Sequence, residues 1–469
     1  MKIFKNILAI GLMTGLMSSC LSVEYPEGSE QQEKGLLNFY VRVPGEQNEY
    51  SPKVKGPYEE GETIYIPVPS SEENPLDLSN LGVRATLDFN CYVEPKLPMY
   101  IDFSKPFDIY VRNAMGKIQH NKIEVVPTLP KISSKKIWQK SNGDLGITAN
   151  IIASLAVNDK YVAVLSQDWD TELRFLDKLT GEVLIKKGGP TSLAMDITTD
   201  ANNHFVVNRY NAYQAGFQVF VYDNDLNEKM VLNFEGDEGN IINPEDNGLK
   251  MSVCGDMTKG KAFVYCTAPA DQRVFYWEFM DGKAITPDNN PNVIRYGWAG
   301  GPWKYAPVQR ASTADNAETY IAFCNYAEND NAELKYGSRF QAFSKNAETI
   351  RELDRSNYYY KIMDFEVKDI NDNKYLFLLS EGYWPWDAKE IFLYDITNPD
   401  NFSLTKDSEN YDEFQLWKSG AYGGLNYSAG GGNIAVYNQN DEIYVYATIY
   451  NHDDGAQSHV VAYKLKINN

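Results

Sequence analysis

The stretch Ser154–Lys187, SLAVNDKYVAVLSQDWDTELRFLDKLTGEVLIKK, constrains the fold more than any other part of the chain. Apolar residues cluster or alternate in four short runs: Leu155–Val157, Tyr161–Leu165, Leu173–Leu176 and Val183–Ile185. Asn158-Asp159 and Lys178–Glu182 are tight turn signals between them, and Ser166–Thr171 is a longer polar loop carrying Trp169. A four-stranded antiparallel meander of this length is one blade of a β-propeller.

The same grammar returns in Leu193–Phe234, Lys250–Thr286, Ala306–Leu353, Ile362–Lys406 and Leu425–Ile467. Each unit has a short first turn, an aromatic-rich second strand, a variable loop and a third strand, usually with a short turn into a fourth. The last unit lacks its fourth strand. Lys135–Lys140 (KKIWQK) precedes the first unit without a partner, so it is expected to supply that outer strand and close the ring. An open ring would leave two unpaired edges. Six blades are expected, with room for a seventh in Asp288–Lys304 or Ser408–Gly424.

Upstream, residues 1–19 read as a signal peptide: Lys2 and Lys5 precede an apolar core, Ile7–Met17, too short to span a membrane as a stable helix. Leu-Met-Ser-Ser-Cys then ends at Cys20 and resembles a bacterial lipobox, although Met17 stands where Leu is favoured. The alternative is an ordinary leader followed by a chance cysteine. Removing Lys2 and Lys5 takes the net charge from −20 to −22. Residues 20–34 form a polar tether. Residues 35–126 read as a β-sandwich, with alternating runs at Leu36–Val43, Thr63–Val68, Val83–Leu87, Pro106–Arg112 and Ile118–Val125. Pro127–Pro130 is a linker, and the propeller occupies 131–469. The fold class expected is thus all-β, an Ig-like sandwich followed by a propeller.

Glu62–Val68 (ETIYIPV), Ile101–Arg112 (IDFSKPFDIYVR) and Asn113–Val125 (NAMGKIQHNKIEV) together are similar to the Ig-like domain of unknown function in Bacteroidetes-type envelope lipoproteins, which precedes a propeller there. The Asp-Phe-Ser turn is the most specific element. The hairpin of that family is acidic-Gly, whereas this chain has Met115-Gly116. The resemblance implies an envelope location, often near glycan-harvesting machinery, and implies no catalytic residues.

The acidic balance argues against nucleic acid as a partner, since phosphates would be repelled. Among the cysteines beyond Cys20, Cys266 and Cys324 fall at equivalent places in neighbouring blades and read as small core residues. Cys254 and Cys266 lie on adjacent strands, where a cross-strand disulfide is conceivable. No metal-type cysteine pair, nucleophile elbow, P-loop or sialidase box occurs, so no cofactor, metal or catalytic residue is expected. His204, His452 and His459 read as surface or satisfied strand histidines rather than a metal set. Asp223–Glu228 mimics the start of a calcium loop but occupies a turn position.

One asymmetry remains. First-to-second and third-to-fourth turns face one side of a propeller, and they are short. The second-to-third and inter-blade loops face the other and are long. Trp169, Trp298, Trp303, Trp384, Trp386 and Trp417 map to that long-loop face. Two loops dominate it, Tyr296–Pro307 (YGWAGGPWKYAP) and Glu381–Asp387 (EGYWPWD). Flat rings beside carboxylates, amides and guanidinium groups suit a pyranose, which offers a C–H face for stacking and a rim of hydroxyls. The other reading has the rings plugging the funnel or packing between blades. The expected function is non-catalytic glycan binding in the cell envelope. The ligand residues would be Trp298, Trp303, Tyr305, Tyr383, Trp384 and Trp386, with Trp169 across the opening. The partners would be a membrane through lipid on Cys20, a glycan or other small ligand, and other envelope proteins. The location would be the outer membrane, facing the periplasm or the cell surface. Alternatives are a hydrolase or lyase using Asp168, Asp170, Glu381 or Asp387, and a protein-binding scaffold.

Overall fold

The computed structural model describes residues 35–468, except 46–48, 72–73, 114, 148–151, 167–171, 190–193, 211–216, 235–249, 269–272, 296–305, 325–337, 360, 383–388, 423–431 and 452–456. It divides into two units, Met1–Pro130 and Lys131–Asn469.

The first unit is a β-sandwich. Its strands are β1 (Leu36–Arg42), β2 (Thr63–Pro69), β3 (Leu81–Leu87), β4 (Tyr92–Val93), β5 (Tyr100–Ile101), β6 (Phe107–Arg112) and β7 (Ile118–Thr128). One sheet runs β1-β3-β5 and the other β2-β7-β6-β4, with β2 parallel to β7. The period-two pattern turns Phe39, Val41, Ile64, Ile66, Ile109, Val111 and Ile123 into a shared interior.

The second unit is a six-bladed β-propeller. β8 (Ile132–Ser141) comes first. Blade one is β9 (Ile152–Val157), β10 (Val162–Ser166), β11 (Glu172–Leu176) and β12 (Val183–Gly188). Blade two is β13 (Ala194–Thr199), β14 (Phe205–Tyr210), β15 (Phe217–Tyr222) and β16 (Glu228–Phe234). Blade three is β17 (Met251–Cys254), β18 (Lys261–Ala268) and β19 (Arg273–Met280), with its outer edge in two pieces, β20 (Lys283–Ala284) and β21 (Asn292–Arg295). Blade four is β22 (Val308–Arg310), β23 (Thr319–Cys324), β24 (Ser338–Phe343) and β25 (Thr349–Glu352). Blade five is β26 (Lys361–Ile370), β27 (Asn373–Glu381), β28 (Lys389–Asp395) and β29 (Gln415–Lys418). Blade six is β30 (Ile434–Gln439), β31 (Glu442–Asn451) and β32 (Gln457–Ile467).

β8 pairs antiparallel with β32 from Ser141 opposite His459 to Ile132 opposite Ile467, and so becomes the fourth strand of blade six. The two stretches with room for a seventh blade are spent otherwise. β21 extends the outer edge of blade three, and Tyr411–Phe414 is a single helical turn, α1, leading into β29. The outer strand of blade five is therefore Gln415–Lys418 rather than the earlier run ending at Lys406. This makes 396–414 a long connection on the otherwise short-turn face, with Phe402 and Phe414 buried against Tyr394 and Phe340. It also moves Trp417 off the loop face. It sits within β29, edge-on to Tyr463 at 5.2 Å.

An apolar cluster fills each seam between neighbouring blades. Phe175, Phe205 and Tyr222 join blades one and two; Phe217, Phe234 and Trp277 join two and three; Phe377, Leu379 and Val445 join five and six. Each fully buried apolar side chain contributes about 1.5–3 kcal/mol relative to exposure. The closing seam holds Trp138 of β8, which packs with Tyr446 and Leu155 and donates from Nε1 to the Lys178 carbonyl at 2.9 Å. The turn beneath it requires glycine. Gly181 has φ +69°, and a Cβ there would lie 2.8 Å from the indole.

Trp138→Ala should therefore cost about 3–5 kcal/mol. Deleting 135–140 should lower the thermal midpoint of the whole propeller, because both edges of the ring open. An unchanged midpoint in calorimetry would refute closure by β8.

Candidate functional site

The inner strands β9, β13, β17, β22, β26 and β30 surround a central channel with a cavity of about 270 Å³. They begin on the long-connection face, and there a polar network gathers one side chain from each of five blades. Asp196 Oδ1 accepts from Ser154 Oγ at 2.5 Å and from Asn433 Nδ2 at 3.2 Å, while Oδ2 accepts from Met251 N at 2.7 Å. Asn433 Nδ2 also donates to Ser154 Oγ at 2.7 Å. Lys250 Nζ donates to Asp364 Oδ2 at 3.2 Å and to the Gly432 carbonyl at 3.1 Å. Ile434 N donates to the same Asp364 oxygen at 3.1 Å. All five side chains are buried.

Beside this network, blade five contributes one charged rung. Lys361, Glu381 and Lys389 lie opposite one another across β26, β27 and β28. Lys361 Nζ is 3.8 Å from Glu381 Oε1, and all three residues are almost wholly buried. Glu390 follows, accepting from the Tyr359 hydroxyl at 2.7 Å.

Burial dominates the electrostatics. It pushes Asp364 up to about 6, against the pull of Lys250, and raises Asp196 in the same way. It brings Lys389 down to about 8; Glu381 opposes that fall, and Lys250 and Lys361 add to it. Displacement in both directions records the cost of holding these charges out of water.

These charges fasten the ends of the connections above them. The 383–388 loop leaves and re-enters through the Glu381–Lys389 rung. The 235–249 connection ends at Lys250, whose ammonium is held by Asp364. The 423–431 connection ends at Gly432, whose carbonyl accepts from Lys250. A Cβ on Gly432 would meet Leu379 Cδ2 at 2.5 Å and Lys389 Nζ at 2.9 Å. Three loops thus share one root, and side chains other than the aromatic ones set it.

The ligand residues expected from the sequence, Trp169, Trp298, Trp303, Tyr305, Tyr383, Trp384 and Trp386, lie outside the described residues, as does Cys20. The 296–305 connection joins β21 of blade three to β22 of blade four, and the 383–388 connection joins β27 to β28 of blade five. Of the four carboxylates considered for catalysis, Glu381 is sealed against Lys361 and Lys389, so it cannot reach a substrate. Asp168, Asp170 and Asp387 lie outside the described residues.

Cys254 and Cys266 are free. Cys254 faces Phe263 across the sheet and Cys266 faces Met251, which keeps the two thiols apart in register, and burial pushes them up to about 11 and about 12. The carboxylate of Asp223 accepts from Asp225 N and Asn227 N and closes the β15–β16 turn. One group of described residues has ligand atoms close enough for a metal: Asp200, His204 and Asp256. Each oxygen of Asp200 already accepts two hydrogen bonds, from Asn202 N and His204 N on one side and from His204 Nδ1 and Met257 N on the other. That geometry braces the β13–β14 turn against blade three and does not fit an ion.

The fold and this network define a two-domain β protein, a sandwich followed by a six-bladed propeller with a charged channel mouth. The chain belongs to the family described as a domain of unknown function, DUF8500, whose model matches residues 136–459. A second model, the domain of unknown function DUF5018, matches residues 15–125. No curated protein matches. Among solved structures, the chain is similar to the N-terminal domain of Nup159, at 11% identity over 73% of this chain and 98% of that one, with a TM-score of 0.37. It is also similar to the WD40 domain of Toxoplasma gondii coronin, at 8% identity over 73% and 88%, with a TM-score of 0.40.

The displaced lysine gives a pH test. Between about 8 and its ordinary 10.5, Lys389 has lost in the folded chain a proton that the unfolded chain still binds, so stability rises with pH across that window. Asp364 acts in the opposite sense, its contribution falling as pH rises from 3.8 to about 6. In urea unfolding, wild type should gain up to about 3 kcal/mol on Lys389→Met between pH 7.5 and pH 10. A constant difference would mean that Lys389 does not titrate there.

Proposed function

We propose that this protein is a cell-envelope lipoprotein, anchored through Cys20, whose propeller binds a glycan on the long-connection face without transforming it. The observation that carries this reading is the shared charged root. Three connections around the channel mouth start from one buried network, and one of them, 383–388, carries Tyr383, Trp384 and Trp386 in its sequence. In sequence, Trp298, Trp303 and Tyr305 belong to the connection between β21 and β22, Tyr383, Trp384 and Trp386 to that between β27 and β28, and Trp169 to that between β10 and β11; these rings would supply the flat apolar faces a sugar stacks on. Arg295 and Lys304 add donors for sugar hydroxyls. The basic, apolar and small-residue order of residues 1–20 supports a signal peptide and lipidation, and with them an outer-membrane location facing the periplasm or the cell surface.

A glycan array probed with the chain lacking residues 1–20 tests the binding. Trp298→Ala combined with Trp384→Ala should weaken the best array hit by roughly tenfold or more, with an unchanged circular dichroism spectrum. An array without hits, or equal affinity of the double variant, would remove the glycan reading. Lipidation is read separately. Cys20→Ala should abolish incorporation of an alkyne fatty acid. Label persisting in the variant would place the lipid elsewhere, and no label on the wild type would remove lipidation altogether.

A further inference from the structure

At one end of the β-sandwich, three turns carry large apolar side chains into solvent. Phe89, between β3 and β4, is 84% exposed; Val54, between β1 and β2, is 74% exposed; Met115, between β6 and β7, is 68% exposed. Isolated exposed apolar residues are ordinary, but three on neighbouring tips form a surface. Hydrogen bonds fix them at the same end. Asp88 N donates to the Gly35 carbonyl at 2.9 Å, next to Phe89. Gly35 N donates to Gln119 Oε1 at 3.1 Å, and Gln119 Nε2 donates to the Tyr58 carbonyl at 2.5 Å. The Tyr58 hydroxyl returns to the Val54 carbonyl at 2.9 Å, and Arg112 Nη1 holds the Gly116 carbonyl at 3.0 Å beside Met115.

Gly35 is also where the N-terminal segment enters the domain. The tips therefore surround the root of the tether. From Cys20 to Gly35 the chain can span at most about 50 Å. Exposed Lys53 and Lys55 flank Val54, and exposed Lys117 follows Met115. Lysines beside two of the three apolar tips match a membrane interface with anionic headgroups, where rings and thioethers enter the acyl boundary and ammonium groups stay at phosphate level, while Asp88 adjoins Phe89. Glu59 and Glu60 lie further along the same loop, so the attraction rests on apolar insertion first and charge second.

We propose that this end of the sandwich, bearing Val54, Phe89 and Met115, docks on the lipid surface to which Cys20 is anchored. The inference rests on the lipidation reading for its anchor. The tether supplies proximity, and the tips convert a swinging attachment into a seated one.

The test uses the chain from residue 20 onward with Cys20→Ser, floated with vesicles of phosphatidylethanolamine and phosphatidylglycerol at 3:1. The parent should float with the vesicles. Val54→Ser/Phe89→Ser/Met115→Ser should bind tenfold or more weakly. Met99→Ser, at the opposite end of the domain where Met99 precedes β5, should bind as the parent does. If the triple variant loses its thermal transition, Phe89→Ser alone should still weaken binding severalfold. A parent that fails to float, or a triple variant that floats equally, overturns the proposal. Fatty-acid labelling at Cys20 is unaffected by either result, so failure of docking and failure of lipidation are told apart.

Discussion

The antiparallel pairing of β8 with β32 is the constraint on which the rest of the propeller depends. Each blade is a thin sheet that buries its faces only against its neighbours, so six seams exist only if the ring is shut. One strand from the front of the domain shuts it. With β8 in place, Trp138 completes the seam between blades six and one, and the inner strands are drawn around a common channel. The polar network at the channel mouth follows from that geometry. Asp196 of blade two reaches Asn433 of blade six through Ser154 of blade one, and Lys250 of blade three crosses to Asp364 of blade five. Neither link can form in an open ring.

Burying these charges is unfavourable by itself, as the upward displacement of Asp364 and the downward displacement of Lys389 record. Well-packed apolar residues would seal the channel mouth as well or better. Apolar residues would not, however, dictate which strand end meets which. An ammonium held between a carboxylate and the Gly432 carbonyl has one geometry, and it fixes the point at which the 423–431 connection rejoins the sheet. The charges act as joinery for loops whose own sequences, rich in glycine and proline, contain no strand pattern to hold them.

Much of the architecture was legible in the residues, for a physical reason. Strands announce themselves through alternation, and turns through Asn, Asp and Gly, so local signals were enough for most blades and for the sandwich. The role of β8 could be read because blade six ran out of chain. Blades three and five were harder: β21 and β29 come after the detours 285–291 and 396–414, and each short strand, NVIR and QLWK, is polar enough to pass for loop. The charged root was illegible. Ser154 and Asp196 are 42 positions apart, and Ser154 and Asn433 are 279 apart; each alone looks like an ordinary polar residue at a strand start. Glu381, read from the sequence as an available carboxylate, is the clearest case, since its two lysine neighbours come from other strands of its blade. The aromatic loops were read from composition, and their placement lies outside the described residues.

Closure by β8 also sets an order on biosynthesis. The ribosome makes β8 before any blade and β32 after all of them, so the first strand of the domain waits, unpaired, for the last. Blades can stack as they emerge, yet none of these partial stacks is a ring, and every one exposes a bare strand edge. β32 thus acts as a latch: without it the other blades form an arc, not a smaller propeller. Contacts between such distant segments are slow to form, because the loop they close is nearly the whole domain. Where the two ends of the domain meet, the channel, its charged mouth and the loop roots are completed together.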